Sequence, residues 1–147
     1  MNRIPTKDAL VRRNISVESD LCVFCHEDLE SVDHLFTACV TAHRVWCRFS
    51  EWVKIPPIFA FSLTDLTDLH KGINGDKKTK EIVQGLITVT CWCLWKARNA
   101  KIFSDGSGNV DEIFGEVKSL SFLWLKSRSS FSNLSWREWY SFPLYMM

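Results

Sequence analysis

Apolar residues recur with helical spacing along most of this chain. Between residues 41 and 53, Ala42, Val45, Trp46, Phe49 and Trp52/Val53 fall on one stripe. Pro56-Pro57 ends that helix, because proline lacks the amide hydrogen a helix needs. Ser62-Leu63-Thr64-Asp65 reads as a capping box with Asp in place of Glu, opening a short helix to about His70 that Gly72 and Gly75 close. The longest helix is predicted over residues 77–99. Ile82, Leu86, Val89, Cys93 and Lys96/Ala97 mark one face, with Trp92 and Trp95 beside it. A loop follows over 104–109. Another helix runs from 111 to about 128, carrying Ile113, Val117, Leu120, Leu123 and Trp124. A serine-rich loop over 127–135 leads to a short turn at 136–139. Trp46, Trp92, Trp95 and Trp124 are expected in the core, and Trp136 and Trp139 loosely packed.

The start of the chain breaks this rhythm. Residues 7–13 suit a short helix with Thr6 as its N-cap, and 14–20 a polar loop. Leu21-Cys22-Val23-Phe24-Cys25 alternates like a hairpin arm. An acidic turn over 26–31 follows, and Asp33 is placed to cap a helical turn through His34, Leu35 and Phe36. Strand signals are too few for a sheet, and there are no internal repeats.

Four metal-ligating residues lie in this irregular stretch: Cys22-x2-Cys25-x8-His34-x4-Cys39. A C-x2-C pair sets two thiolates at the tip of a turn, and Cys₃His is a common tetrahedral zinc set. Five residues of ideal α-helix turn through about 500°, leaving His34 and Cys39 about 140° apart. The backbone must therefore break between them, with His34 on a short turn and Cys39 at the mouth of the next helix. Four protein ligands close the coordination sphere, so one structural Zn²⁺ is expected rather than a catalytic one. His26 is the rival for His34. His43 and Cys47, four apart, could suggest a Cys–His nucleophile pair, but no third group orients them. Cys47, Cys91 and Cys93 are expected as buried core thiols. The fold class expected is mainly α, a small zinc knuckle of short hairpin plus helix packed on a helical domain. The divisions are a zinc-binding module over 1–55, a linker with a short helix over 56–76 and a Trp-rich helical tail over 77–147.

Composition changes this picture little. At 24% charged and 13% aromatic, the chain is not disordered by composition. No signal peptide opens it, and its longest apolar stretch, 85–95, is about half the roughly 20 residues a membrane span needs. The expectation is an intracellular protein, nuclear or cytoplasmic, not secreted and without membrane contact. Six cysteines in such a compartment read as metal ligands or core groups, not bridges. A net charge of +1 gives no global case for nucleic acid.

Ile4-Pro5-Thr6-Lys7 with Leu10 and Arg13, Cys22-Val23-Phe24-Cys25, Glu30, His34-Leu35-Phe36, Cys39, Ala42 and Val45-Trp46 together resemble one known pattern. It is the zinc-binding domain at the C-terminal end of plant LINE-type (non-LTR) retrotransposon reverse transcriptases. The resemblance covers about residues 3–55, and extends more loosely through Trp92-x2-Trp95-Lys96-Ala97-Arg98-Asn99, Ile102-Phe103, Trp124-Leu125-Lys126 and Trp136. It implies that Cys22, Cys25, His34 and Cys39 are the ligands, in agreement with their spacing. It also implies an RNA-directed DNA polymerase as the parent polyprotein. This chain lacks the paired carboxylates of a polymerase palm, and Asp105-Gly106-Ser107 sits in a loop without RNase H strands around it. No enzymatic activity is expected of it. It looks like a detached tail of such a polyprotein.

Local charge supplies what the total does not. Arg3, Lys7, Arg12 and Arg13 form one basic cluster, Lys77, Lys78 and Lys80 a second, and Lys96, Arg98 and Lys101 a third flanked by Trp95 and Phe103. The first and third are the expected contacts to RNA or DNA. The zinc-bearing stretch is acidic between Asp20 and Asp33 and is not the expected phosphate surface. Two further readings stay open: a zinc-stapled scaffold that binds proteins, such as the polymerase domain of the parent, or a retroelement remnant without a role.

Overall fold

The computed structural model describes residues 4–128 and 131–144; Arg3, one of the expected nucleic-acid contacts, lies outside the described residues. Among the described residues six α-helices run in order: α1 Lys7–Arg12, α2 Val40–Val53, α3 Leu63–Asp68, α4 Lys77–Phe103, α5 Val110–Lys126 and α6 Trp136–Ser141. A π-helical turn, His34–Ala38, precedes α2, and a 3₁₀ turn, Leu69–Gly72, follows α3. The fold is mainly α, as the periodicity indicates. In the expected hairpin the two arms meet in one antiparallel bridge between Leu21 and Leu29. The Cys22 amide donates to the Asp28 carbonyl at 2.8 Å and the Glu30 amide to the Asp20 carbonyl at 2.9 Å.

Helix ends follow local chemistry. Ser62 and Asp65 form the capping box: the Asp65 amide donates to Ser62 Oγ at 3.1 Å and the Ser62 amide to Asp65 Oδ2 at 3.2 Å. Asp76 caps α4 through the Thr79 amide at 2.8 Å. Asn109 caps α5 through the amides of Asp111 and Glu112. Helix α2 stops at Lys54, whose left-handed backbone, φ 63°, closes the helix just before Pro56-Pro57. Helix α4 runs four residues past the expected end at Asn99.

The core is continuous. One apolar cluster extends from Cys22 in the knuckle to Trp139 in the tail, so all three predicted stretches contribute to it. Helix α5 returns along α4 after a short loop, and α2 packs on α5 with its whole predicted stripe buried. Two tryptophans depart from expectation. Trp139 is fully buried. Its indole donates to the Lys118 carbonyl at 3.1 Å, its own carbonyl accepts from the Trp52 indole at 3.0 Å, and the two indole rings meet edge to face. Trp92 is 56% exposed. The buried residues of α4, from Ile82 through Arg98, occupy an arc of about 160° at 100° per residue, and Trp92 lies roughly 80° beyond its edge.

Arg98, expected on the surface as a nucleic-acid contact, is instead inside. Its guanidinium grips Glu30 of the knuckle in a two-point ion pair, Nη2 to Oε1 at 2.6 Å and Nε to Oε2 at 3.2 Å. The two side chains are only 5% and 0% exposed. Glu30 Oε1 also accepts from the Lys7 amide at 2.9 Å, and the Glu30 carbonyl from the Asp8 amide at 3.2 Å. One residue therefore caps α1, closes the hairpin and anchors both to α4. This displaces the expected cap: the Thr6 hydroxyl donates to Asp8 Oδ1 and accepts no amide of α1.

Removing one partner of a buried ion pair strands the other charge in a dry site, at a cost of about 3–5 kcal/mol. Glu30→Gln and Arg98→Met should each lower the unfolding free energy by about that much, whereas the double variant should recover a substantial part. Urea denaturation of the zinc-loaded protein measures this. Additive losses in the double variant would count against the pairing.

Candidate metal centre

The four candidate ligands converge. One ligand atom from each of Cys22, Cys25, His34 and Cys39 lies within 4.8 Å of all the others. Cys22 Sγ and Cys39 Sγ are 3.8 Å apart, and Cys25 Sγ and His34 Nε2 are 3.3 Å apart. A tetrahedral zinc ion with Zn–S near 2.3 Å and Zn–N near 2.05 Å requires edges of about 3.8 Å between sulfurs and about 3.5 Å between sulfur and nitrogen. Both observed edges fit. The sulfur pair is far outside the roughly 2.05 Å of a disulfide, and the six cysteines are free thiols.

Local backbone chemistry sets each ligand. The chain reverses after Cys25 at His26, whose left-handed φ of 58° turns its imidazole outward. His26 is exposed, outside the cluster, and His34 fills the site. An ideal α-helix cannot bring positions 34 and 39 together. The π-helical turn does so, because its i→i+5 bond, Cys39 amide to His34 carbonyl at 2.8 Å, stacks the first residue over the sixth. The turn is held from both sides. Ser31 Oγ accepts from the His34 amide at 3.1 Å, and the Trp46 indole of α2 donates to the Phe36 carbonyl at 2.8 Å. Asp33, expected to cap this turn, instead receives the Leu63 amide at the start of α3, at 3.0 Å. Its own αR backbone continues the turn and leaves the side chain free to reach across.

Cys39 is the N-cap residue of α2, as expected. Its thiol is held below the ordinary value, first because the Cys22 thiol donates to it and also because the Thr41 and Ala42 amides face it; burial opposes both. The Cys22 thiol is pushed well up by that same hydrogen bond and by burial. Metal binding would release the protons these thiols carry. Cys22 and Cys39 are fully buried and His34 nearly so. Phe24 seals the knuckle against the loop after α4. A Cβ on Gly108, where φ is +65°, would come within 3.3 Å of the Phe24 ring. The four residues can hold one zinc ion with four protein ligands.

Other expected residues fall differently. Cys47, expected in the core, is exposed with Sγ 3.5 Å from His43 Nε2, since both face outward on α2 one turn apart. Cys93 is buried and Cys91 half-buried, and burial pushes both thiols up to about 12. Lys7 donates to the Leu21 carbonyl. Lys96 pairs with Glu116, whose hydrogen bond raises the lysine pKa. Arg12 lies 3.7 Å from Asp8, Arg13 is exposed, and Lys101 is half-buried beside Gly108. Glu30 is the positioning residue that spacing did not single out.

Protein purified in reducing buffer should carry one zinc per chain. Cys22→Ser or His34→Ala should lose both metal and helicity, because metal binding is coupled to folding. Cys47→Ser and Cys91→Ser should keep both. Metal analysis with circular dichroism checks this; retention of zinc by Cys22→Ser would refute the site.

No curated protein and no solved structure matches the chain. Residues 1–46, which include all four ligands, Glu30 and the Trp46 that braces the π-helical turn, match the model of a family described as zinc-binding in reverse transcriptase.

Proposed function

We propose that the chain is a non-catalytic zinc-binding module of LINE-type retroelement origin that assists the binding of RNA or DNA. The observation that carries this reading is the closed Cys₃His tetrad inside a segment matching a reverse-transcriptase zinc-binding family. A sphere filled by four protein ligands leaves no position for an activated water, which supports a structural ion over a catalytic one. The metal fixes the knuckle, and the Glu30–Arg98 pair fixes the knuckle to α4. The arrangement supports a rigid platform whose outer cations meet phosphate. Arg12 and Arg13 at the open end of α1, and Lys77 and Lys78 at the start of α4, are the exposed cations best suited to that task. Lys7, Lys96 and Arg98 spend their charge within the molecule. The reading places the protein in a reducing compartment, nucleus or cytoplasm, where thiolates stay available to zinc. None of the helices among the described residues is long and apolar enough to cross a membrane.

A second reading rests on a separate observation. Phe59 and Phe61, just after Pro56-Pro57, are 80% and 87% exposed. Two such rings side by side favour a protein partner, such as the polymerase domain of the parent element.

Fluorescence anisotropy of the zinc-loaded protein with labelled single-stranded RNA, single-stranded DNA and duplex separates the two. The nucleic-acid reading predicts that a fourfold rise in salt weakens single-strand binding by roughly twentyfold, as for about three phosphate contacts. No affinity for any of these ligands, together with a stable RNA-free complex with the polymerase domain, would leave the scaffold reading in place.

A further inference from the structure

A groove of about 750 Å³ runs between the outer side of α4 and the end of α5. That volume is within the range of ligand sites, and the groove is remote in sequence from the metal ligands. Its walls are aromatic and its rim is cationic. Trp92 and Trp124 line it, the first more than half exposed. Arg128 stands over the Trp124 ring, with Cζ 4.8 Å from the ring centroid, and Lys78 over the Phe131 ring, with Nζ at 4.5 Å. Glu81 is the one carboxylate among the lining residues, and Lys77 lies 4.0 Å from it. The balance at the rim is positive. Gly85 lines the groove beside Trp124. A Cβ there would clash with the Trp124 ring, so the indole lies directly against the helix backbone. From Lys78 to Trp92 this side of α4 is roughly 21 Å long at 1.5 Å per residue.

We infer that this groove binds single-stranded nucleic acid, with unpaired bases stacking on Trp92 and Trp124 and the backbone phosphates meeting Lys78 and Arg128. The chemistry selects that ligand. An apolar peptide would use the aromatic walls but gain nothing from cations standing on them, and a duplex would offer phosphates but no free base faces. Unpaired strands satisfy both, and base–aromatic stacking does not depend on which base is presented. The inference rests on the nucleic-acid reading above and gives it a location that the basic clusters alone do not.

The test uses the full chain loaded with zinc, binding labelled oligouridylate, oligoadenylate, the matching DNA strands and a duplex. Trp92→Ala removes an exposed ring and should leave the metal content and the helical signal intact. It should weaken binding to every single strand by about tenfold, the effect of losing one stacked base, while leaving weak duplex binding unchanged. Arg128→Ala should weaken single-strand binding and flatten its salt dependence. Gly85→Ala, which pushes Trp124 out of its seat, should act like Trp92→Ala. Ultraviolet crosslinking to bromouridine-substituted RNA should mark the peptide containing Trp92. If the wild-type protein binds single strands but Trp92→Ala and Gly85→Ala bind equally well, the groove is not the site and the broader reading stands. If the wild-type protein binds no nucleic acid, both fail. A concentration-dependent dimer that Trp92→Ala abolishes, with nucleic-acid binding unaffected, would assign the groove to self-association and overturn the inference.

Discussion

A buried carboxylate–guanidinium pair joins the two ends of this molecule's logic. Glu30 lies in the metal knuckle and Arg98 on the longest helix, yet they meet in a site with almost no solvent. Burying two charges costs several kcal/mol each in desolvation, and only close, saturated hydrogen bonding repays it. Here every nitrogen of the guanidinium and both carboxylate oxygens are bonded: Glu30 holds Arg98 at two points and the Lys7 amide besides, while the remaining guanidinium nitrogen, Nη1, donates to Asn99. No buried side-chain nitrogen or oxygen among the described residues lacks a partner. The geometry of the pair therefore fixes where the knuckle can sit.

The metal site solves a complementary problem. Between residues 7 and 39 the fully buried apolar side chains are Ala9, Cys22, Leu35, Phe36 and Cys39 alone, too small a core to order the stretch, and a bound zinc ion would supply the missing free energy. The ligands alone would order only the loop that carries them. The π-helical turn, the Trp46 indole on the Phe36 carbonyl and the Asp33 side chain on α3 pass that order to the helices. Metal ligands, ion pair and indole act at different points on one continuous core.

How much of this was legible in the chain depends on the range of the interaction. The ligand tetrad was readable because its members are close in sequence and their chemistry is specific. The helices were readable because each buries one stripe, and the Ser62–Asp65 capping box because both members lie within one turn. The Glu30–Arg98 pair joins residues 68 apart in sequence, yet the helix pattern carries a signal for it. Arg98 occupies the same row as Val83, Ile87, Thr90 and Leu94, and a cation at a core position of a long helix demands a buried anion. Its neighbours Lys96 and Lys101 disguised it as part of a basic patch. The burial of Trp139 is hidden from the local pattern for a related reason. Its anchors, Trp52 and the Lys118 carbonyl, come from α2 and α5, and a short helix far along the chain gives no hint of them. Trp92 failed in the opposite direction, since a Trp within a long apolar helix reads as core until the buried arc is known.

If Glu30 and Arg98 carry metal-induced order from the knuckle to the helical body, that order should be visible as protection of backbone amides. Hydrogen exchange of the metal-free protein during zinc titration tests it most directly. Zinc should slow exchange around the ligands and, at the same metal equivalence, along α1 and the part of α4 near Arg98, and Glu30→Gln should confine the gain to the knuckle. Protection limited to the ligand loop in the unaltered chain would contradict it.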